Sequence, residues 1–113
     1  MRRDKNLPLT ETTFYIFLAL LEPAHGYLIM QKVEELSDGH VRIAAGTLYG
    51  ALENLIKQKF IVLVPTKDKR RKVYKITDKG REILELDLER IKHMAKVTEE
   101  ALKWSRRVKV CIF

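Results

Sequence analysis

Cysteine is nearly absent, Cys111 being the single one in 113 residues. No internal disulfide can form, and a lone thiol fits a reducing cytoplasm better than a secreted setting. Long apolar runs are missing too. The longest, Phe14 to Leu21, has eight residues, against the roughly twenty of a membrane span. Arg2 and Arg3 precede it as in a signal peptide, but Glu11 and Thr12 interrupt the approach and no small-x-small cleavage site follows before Pro23. With three prolines and five glycines, breakers are few, and neither an internal repeat nor a low-complexity stretch occurs. Cys-x-x-Cys, His-Glu-x-x-His and Gly-rich phosphate loops are also lacking, and His25, His40 and His93 lie far apart. Neither a metal site nor a cofactor is expected, and nothing points to an enzyme.

What the chain does have is apolar mass and positive charge. At 46% hydrophobic it can build one core without metal or disulfide staples, leaving room for one domain and an appendage. Lys and Arg number 22 against 15 Asp and Glu, a net charge of +7. That balance favours a polyanion, either nucleic acid or an acidic membrane surface. The charge is concentrated in Lys67, Asp68, Lys69, Arg70, Arg71 and Lys72, which carry +4 in six positions.

Periodicity divides the chain. Thr10 and Glu11 precede an apolar stripe at Phe14, Ile16, Phe17, Leu18, Leu20 and Leu21, predicting a buried helix to about Leu21, before Pro23. Leu28, Ile29, Val33 and Leu36 predict a second, amphipathic helix from Gly26 to about Leu36. Ser37, Asp38 and Gly39 make a turn, and Val41, Arg42 and Ile43 alternate as a minimal strand. Leu48, Leu52, Leu55 and Ile56 place a third helix over 45–59. Ile61 to Thr66 and Lys72 to Ile76 alternate and are β-branched, so the basic cluster becomes the tip of a hairpin. Thr77 is a candidate N-cap for a helix to about Lys103. The fold class expected is mainly α with a small β-hairpin, in the order of a winged helix-turn-helix over 1–80, followed by a long dimerisation helix and tail over 81–113.

That last helix, 27 residues from Thr77 to Lys103, would be about 40 Å long, too long to lie on its own domain. Leu84, Leu88, Ile91, Ala95, Thr98 and Leu102 form an a/d seam, widened by Ile83, Met94, Val97 and Ala101. A partner helix is the expected cover, with folding back onto the first helix as the alternative. Trp104 beyond the seam suits interface packing, or stacking on a ligand. The tail from Val108 to Phe113 alternates like a strand and also suits an apolar end, and it stays unassigned.

Three stretches in order, His25-Gly26-Tyr27, Gly46-Thr47-Leu48-Tyr49, and Arg70 to Gly80 (Arg-Arg-Lys-Val-Tyr-Lys-Ile-Thr-Asp-Lys-Gly), resemble the PadR-like family of winged-helix transcriptional regulators. The resemblance covers roughly residues 10 to 80. It implies a homodimeric DNA-binding repressor whose last helix dimerises, in some members around a small aromatic effector. Two departures stand out. Gly50 takes the place of a common proline after the Gly-Thr-Leu-Tyr stretch, which loosens the start of the recognition helix. Leu84, Leu88, Ile91 and Ala95 stand where effector-binding members carry aromatics, which argues against a drug-like effector.

Independently of the resemblance, Gly46 with Ala44 and Ala45 lets a helix N-terminus approach a phosphate, and Thr47 and Tyr49 add hydroxyl donors. Thr47 serves equally as an ordinary cap, and Tyr49 as an amphipathic rim residue. Asn54 suits bidentate contact with adenine, and is also a common exposed residue. Arg70, Arg71 and Lys72, with Lys67 and Lys69, suit phosphates or a minor groove. Tyr27 and Gln31 fall on the helix that crosses the backbone, although Tyr27 also suits the core. Arg2, Arg3 and Lys5 form a basic arm or a frayed end. The leading expectation is a cytoplasmic homodimer on a palindromic duplex-DNA operator, with no membrane partner. A winged-helix module for RNA and a protein-interaction adaptor are the alternatives.

Overall fold

The computed structural model describes residues 4–68 and 70–108. In order they form α1 (Glu11–Ala19), β1 (Ala24–His25), α2 (Gly26–Leu36), α3 (Ala45–Lys57), β2 (Ile61–Val64), β3 (Val73–Ile76) and α4 (Asp78–Arg107). The sheet is antiparallel with strand order β1-β3-β2. This is the winged helix-turn-helix order with a small sheet and a long last helix.

Short polar links set the element ends. The Thr10 hydroxyl accepts from Thr13 N at 3.1 Å and starts α1, and His25 Nδ1 accepts from Leu28 N at 3.3 Å and starts α2. After α3, Lys59 turns at φ 66, and Phe60 N donates to Leu55 O at 3.0 Å, closing the helix end. Thr77 caps α4, accepting from Gly80 N at 3.1 Å, while its own hydroxyl donates to Lys59 O at 2.8 Å. Gly80 lies against the Phe60 carbonyl, where a Cβ would collide with backbone. The root of α4 is thereby fastened to the turn that ends α3.

The core fills the space between α1, α2, α3 and the sheet. Ile16, Phe17, Leu20, Ile29, Val33 and Leu48 are fully buried. Phe17 meets Phe60 edge-on at 5.9 Å between ring centroids, and Ile83 and Leu84 close the core from the first turns of α4. Each such side chain contributes about 1.5–3 kcal/mol through removal from water.

Two expectations need correction. The segment from Val41 to Ile43 is irregular and is no strand. The buried Ser37 hydroxyl accepts the Val41 amide at 2.9 Å, so a side chain satisfies it in place of a ladder. The place beside β3 belongs to β1, whose Ala24 and His25 face Tyr74 and Val73. Boundaries also move: α1 ends at Ala19, α3 at Lys57, β2 at Val64, β3 starts at Val73, and α4 runs on to Arg107.

The 30 residues of α4 span about 45 Å. The radius of gyration is 18.2 Å, where a compact chain of this length has about 13 Å. The distal half of α4 projects beyond the globule.

Candidate nucleic-acid interface

The N-terminus of α3 begins at Ala44 with no side-chain cap. Its first N–H groups have no intrahelical acceptors and stay available to an anion. Leu48, Leu52 and Leu55 bury one face of the helix. Gly46 and Gly50 lie on the opposite face with nothing within 4 Å of an added Cβ, so both positions are open to an approaching surface. Thr47 is exposed near the start of the helix.

Beside it runs a groove of about 680 Å³, lined by His25, Gly26, Tyr27, Tyr49, Asp68, Arg70, Arg71, Lys72 and Tyr74. The fold thus gathers the start of α2, Tyr49 of α3 and the basic hairpin tip around one channel. Tyr27, 64% exposed, stands at its rim, and Gln31, one turn on, is exposed on the same side of α2. Tyr49 is half exposed, and its hydroxyl packs over Gly26, where a Cβ would collide with it. Gly26 is therefore the seat for the Tyr49 ring in the position it holds here. Tyr74 is buried in the floor. Burial pushes its phenol above the usual range, with Tyr49 adding to the shift, so it stays protonated at neutral pH.

The hairpin tip is shaped by Asp68. Its carboxylate accepts from Arg70 N at 3.0 Å, its carbonyl accepts from Arg71 N at 3.1 Å, and the Thr66 hydroxyl donates to the same carbonyl at 2.7 Å. Arg70, Arg71 and Lys72 are then exposed along one edge, with Lys67 exposed nearby. Lys69 lies outside the described residues. Charge counting reduced Asp68 to an offset against the cations, whereas it folds the turn that presents them. An Asp two residues before the Arg pair is an Asx-turn signal that could have found it.

Asn54 is apart from this channel. It lines a separate cavity with Asn6, Pro8, Thr10, Thr13 and Gln58, on the flank of α3 that carries Thr47 seven residues, or two turns, earlier.

The residues expected to dimerise divide in two. Leu84 is 7% exposed and belongs to the core of its own chain. Leu88, Met94, Leu102 and Trp104 are 43%, 44%, 59% and 65% exposed. Ile91 is half-buried, and Ala95 and Thr98 are exposed. Among the described residues no group of three or more His, Cys, Asp or Glu could hold a metal ion, and no helix is long and apolar enough to cross a membrane.

Comparison with known proteins agrees with this architecture. A PadR family transcription regulator from Clostridium difficile superposes with a TM-score of 0.67 at 23% identity, covering 82% of this chain and 99% of that one. A PadR-like transcriptional regulator from Bacillus cereus gives 0.66 at 24%, covering 88% and 97%. RosR of H. salinarum gives 0.64 at 23%, covering 88% and 99%. No curated protein matches. The model of the transcriptional regulator PadR-like family matches residues 16–86, the stretch that holds α2, α3, the hairpin and the root of α4. With the winged fold and its uncapped third helix in place, that match settles the identity: the chain belongs to the transcriptional regulator PadR-like family.

Proposed function

We propose that the chain is a homodimeric, sequence-specific duplex-DNA-binding repressor. In this reading α3 enters the major groove, Thr47 and Tyr49 reach toward bases or phosphates, and Arg70, Arg71 and Lys72 follow the backbone or a minor groove. The observation that carries it is the channel that brings Tyr27, Tyr49 and the wing cations beside the open N-terminus of α3. The exposed apolar face of α4 supplies the dimer, and a two-fold dimer calls for a palindromic site. Repression needs nothing beyond these two surfaces, since a dimer seated on its operator blocks the DNA it covers.

Selection from a random duplex pool tests the reading. The expected product is a palindrome with half-sites about 10 base pairs apart, centre to centre. Absence of enrichment, or tighter binding to structured RNA at matched salt, would overturn it.

A further inference from the structure

The distal half of α4 carries more information than an apolar stripe. In heptad terms Leu88, Ala95 and Leu102 occupy a, and Ile91, Thr98 and Ser105 occupy d. The e positions are Glu85, Lys92, Glu99 and Arg106, all exposed, and the g positions include Met94 and Ala101. One flank of the stripe is charged and alternates in sign, while the other, beyond the buried Asp87, is apolar at Met94 and Ala101.

On the dimer reading above, we infer that two copies pair through α4 in one antiparallel register, with Ile91 packed against Leu102 and Ala95 against Thr98 of the second copy. The charges select it. Antiparallel helices oppose e to e and g to g, and this register sets Glu85 opposite Arg106 and Lys92 opposite Glu99, while Met94 meets Ala101. Sliding by one heptad toward the tip opposes Lys92 to Arg106 and Glu99 to its own copy. Sliding the other way opposes Glu85 to Glu99 and Lys92 to its own copy. A parallel pair would set Lys92 against Asp87, which is 1% exposed and already held by Arg90 Nε at 2.6 Å. Met94 and Ala101 offer the other e positions no charge. Small Ala95 and Thr98 fall at the two-fold axis, where the helices come closest.

The register also assigns an occupant to a second groove. A cavity of about 620 Å³ between α1 and α4 is lined by Phe14, Tyr15, Asp87, Leu88, Arg90 and Ile91 among others. It opens on the apolar flank, where the register lays Trp104 of the second copy alongside Ile91. The indole of one chain seats in the groove of the other, over Phe14 and Tyr15 and beside the Arg90 guanidinium.

The test mixes two full-length variants, Lys92→Glu and Glu99→Lys, one carrying a mass tag, and reads native mass spectra. Each variant alone sets like charges against each other twice per dimer, and self-association is expected to weaken roughly tenfold. The mixture restores both pairs, and heterodimers are expected well above the statistical half. Statistical mixing overturns the register and leaves the dimer reading standing. A wild-type chain that stays monomeric overturns both. Trp104 is the single tryptophan, so quenching by acrylamide reads the groove directly. Protection that appears with dimerisation is expected, and unhindered quenching in the dimer overturns the seating of the indole.

Discussion

The winged half and the distal half of α4 differ in how their apolar residues are satisfied. In the winged half Phe17, Leu48 and Tyr74 find cover within the chain, and what remains outside mixes the basic hairpin tip with separate apolar side chains such as Leu36, Val62 and Leu63. Past Ile91 the helix keeps Met94, Val97, Leu102 and Trp104 in solvent, an exposed apolar face of the kind that marks an interaction surface. The two regions thus present different faces, a basic hairpin tip on one and an apolar stripe on the other, joined at a root pinned by Thr77 and Gly80.

Removing a ring from the self-sufficient half has the largest effect. Phe17→Ala deletes a fully buried side chain and is expected to lower stability in urea unfolding by about 3–5 kcal/mol. If Phe17→Ala costs no more than Leu102→Ala measured at concentrations where the chain is monomeric, the contrast between the halves is lost. Ile91→Asp acts on the other region. It puts an unpaired charge into the proposed dimer seam and should cost on the order of several kcal/mol of association, seen as monomers in sedimentation. A variant that still sediments as a dimer would remove Ile91 from the interface.

Within the winged half, Thr47→Ala is expected to narrow the preference for a selected duplex over random DNA by about 1–3 kcal/mol if Thr47 reaches a base. Asn54→Ala should do less, because Asn54 lies two turns farther from the open N-terminus of α3, in a cavity it shares with Asn6 and Pro8. Equal losses at both would extend the reading face along that flank of the helix. The smallest effect belongs to Lys79, whose ammonium sits 5.1 Å from the Phe60 ring centroid and donates to Gln58 O at 3.2 Å. Lys79→Ala should cost about 0.5–1 kcal/mol in thermal unfolding, and a larger loss would show that the root of α4 depends on it.

Much of this was legible in the sequence, for reasons that differ by element. The spacing of Ile29 and Val33, or of Leu48, Leu52 and Leu55, records which helix face meets the core, and structure and pattern agree there. The strand at Val41 to Ile43 failed because alternation says nothing about whether a partner edge is free. Ser37 had already taken the Val41 amide. The two-residue β1 has no pattern of its own and exists only by pairing with β3. Leu84 shares its heptad rhythm with Leu88 and Ile91, yet it faces its own core, because a seam read along one helix does not show where the globule ends. At the interface, composition located the wing cations, while the Asp68 turn that orients them and the Gly26 seat for Tyr49 needed coordinates.

The division of labour between wing and recognition helix is tested most directly by the salt dependence of binding to one selected duplex. On the proposed dimer, replacing Arg70 and Arg71 with Ala in both subunits removes up to four of the proposed phosphate contacts, so the slope of log K against log salt should flatten by up to about 3.6 while sequence preference survives. A wing variant that loses sequence preference with its salt slope unchanged would contradict the account, and would make the hairpin the element that reads bases.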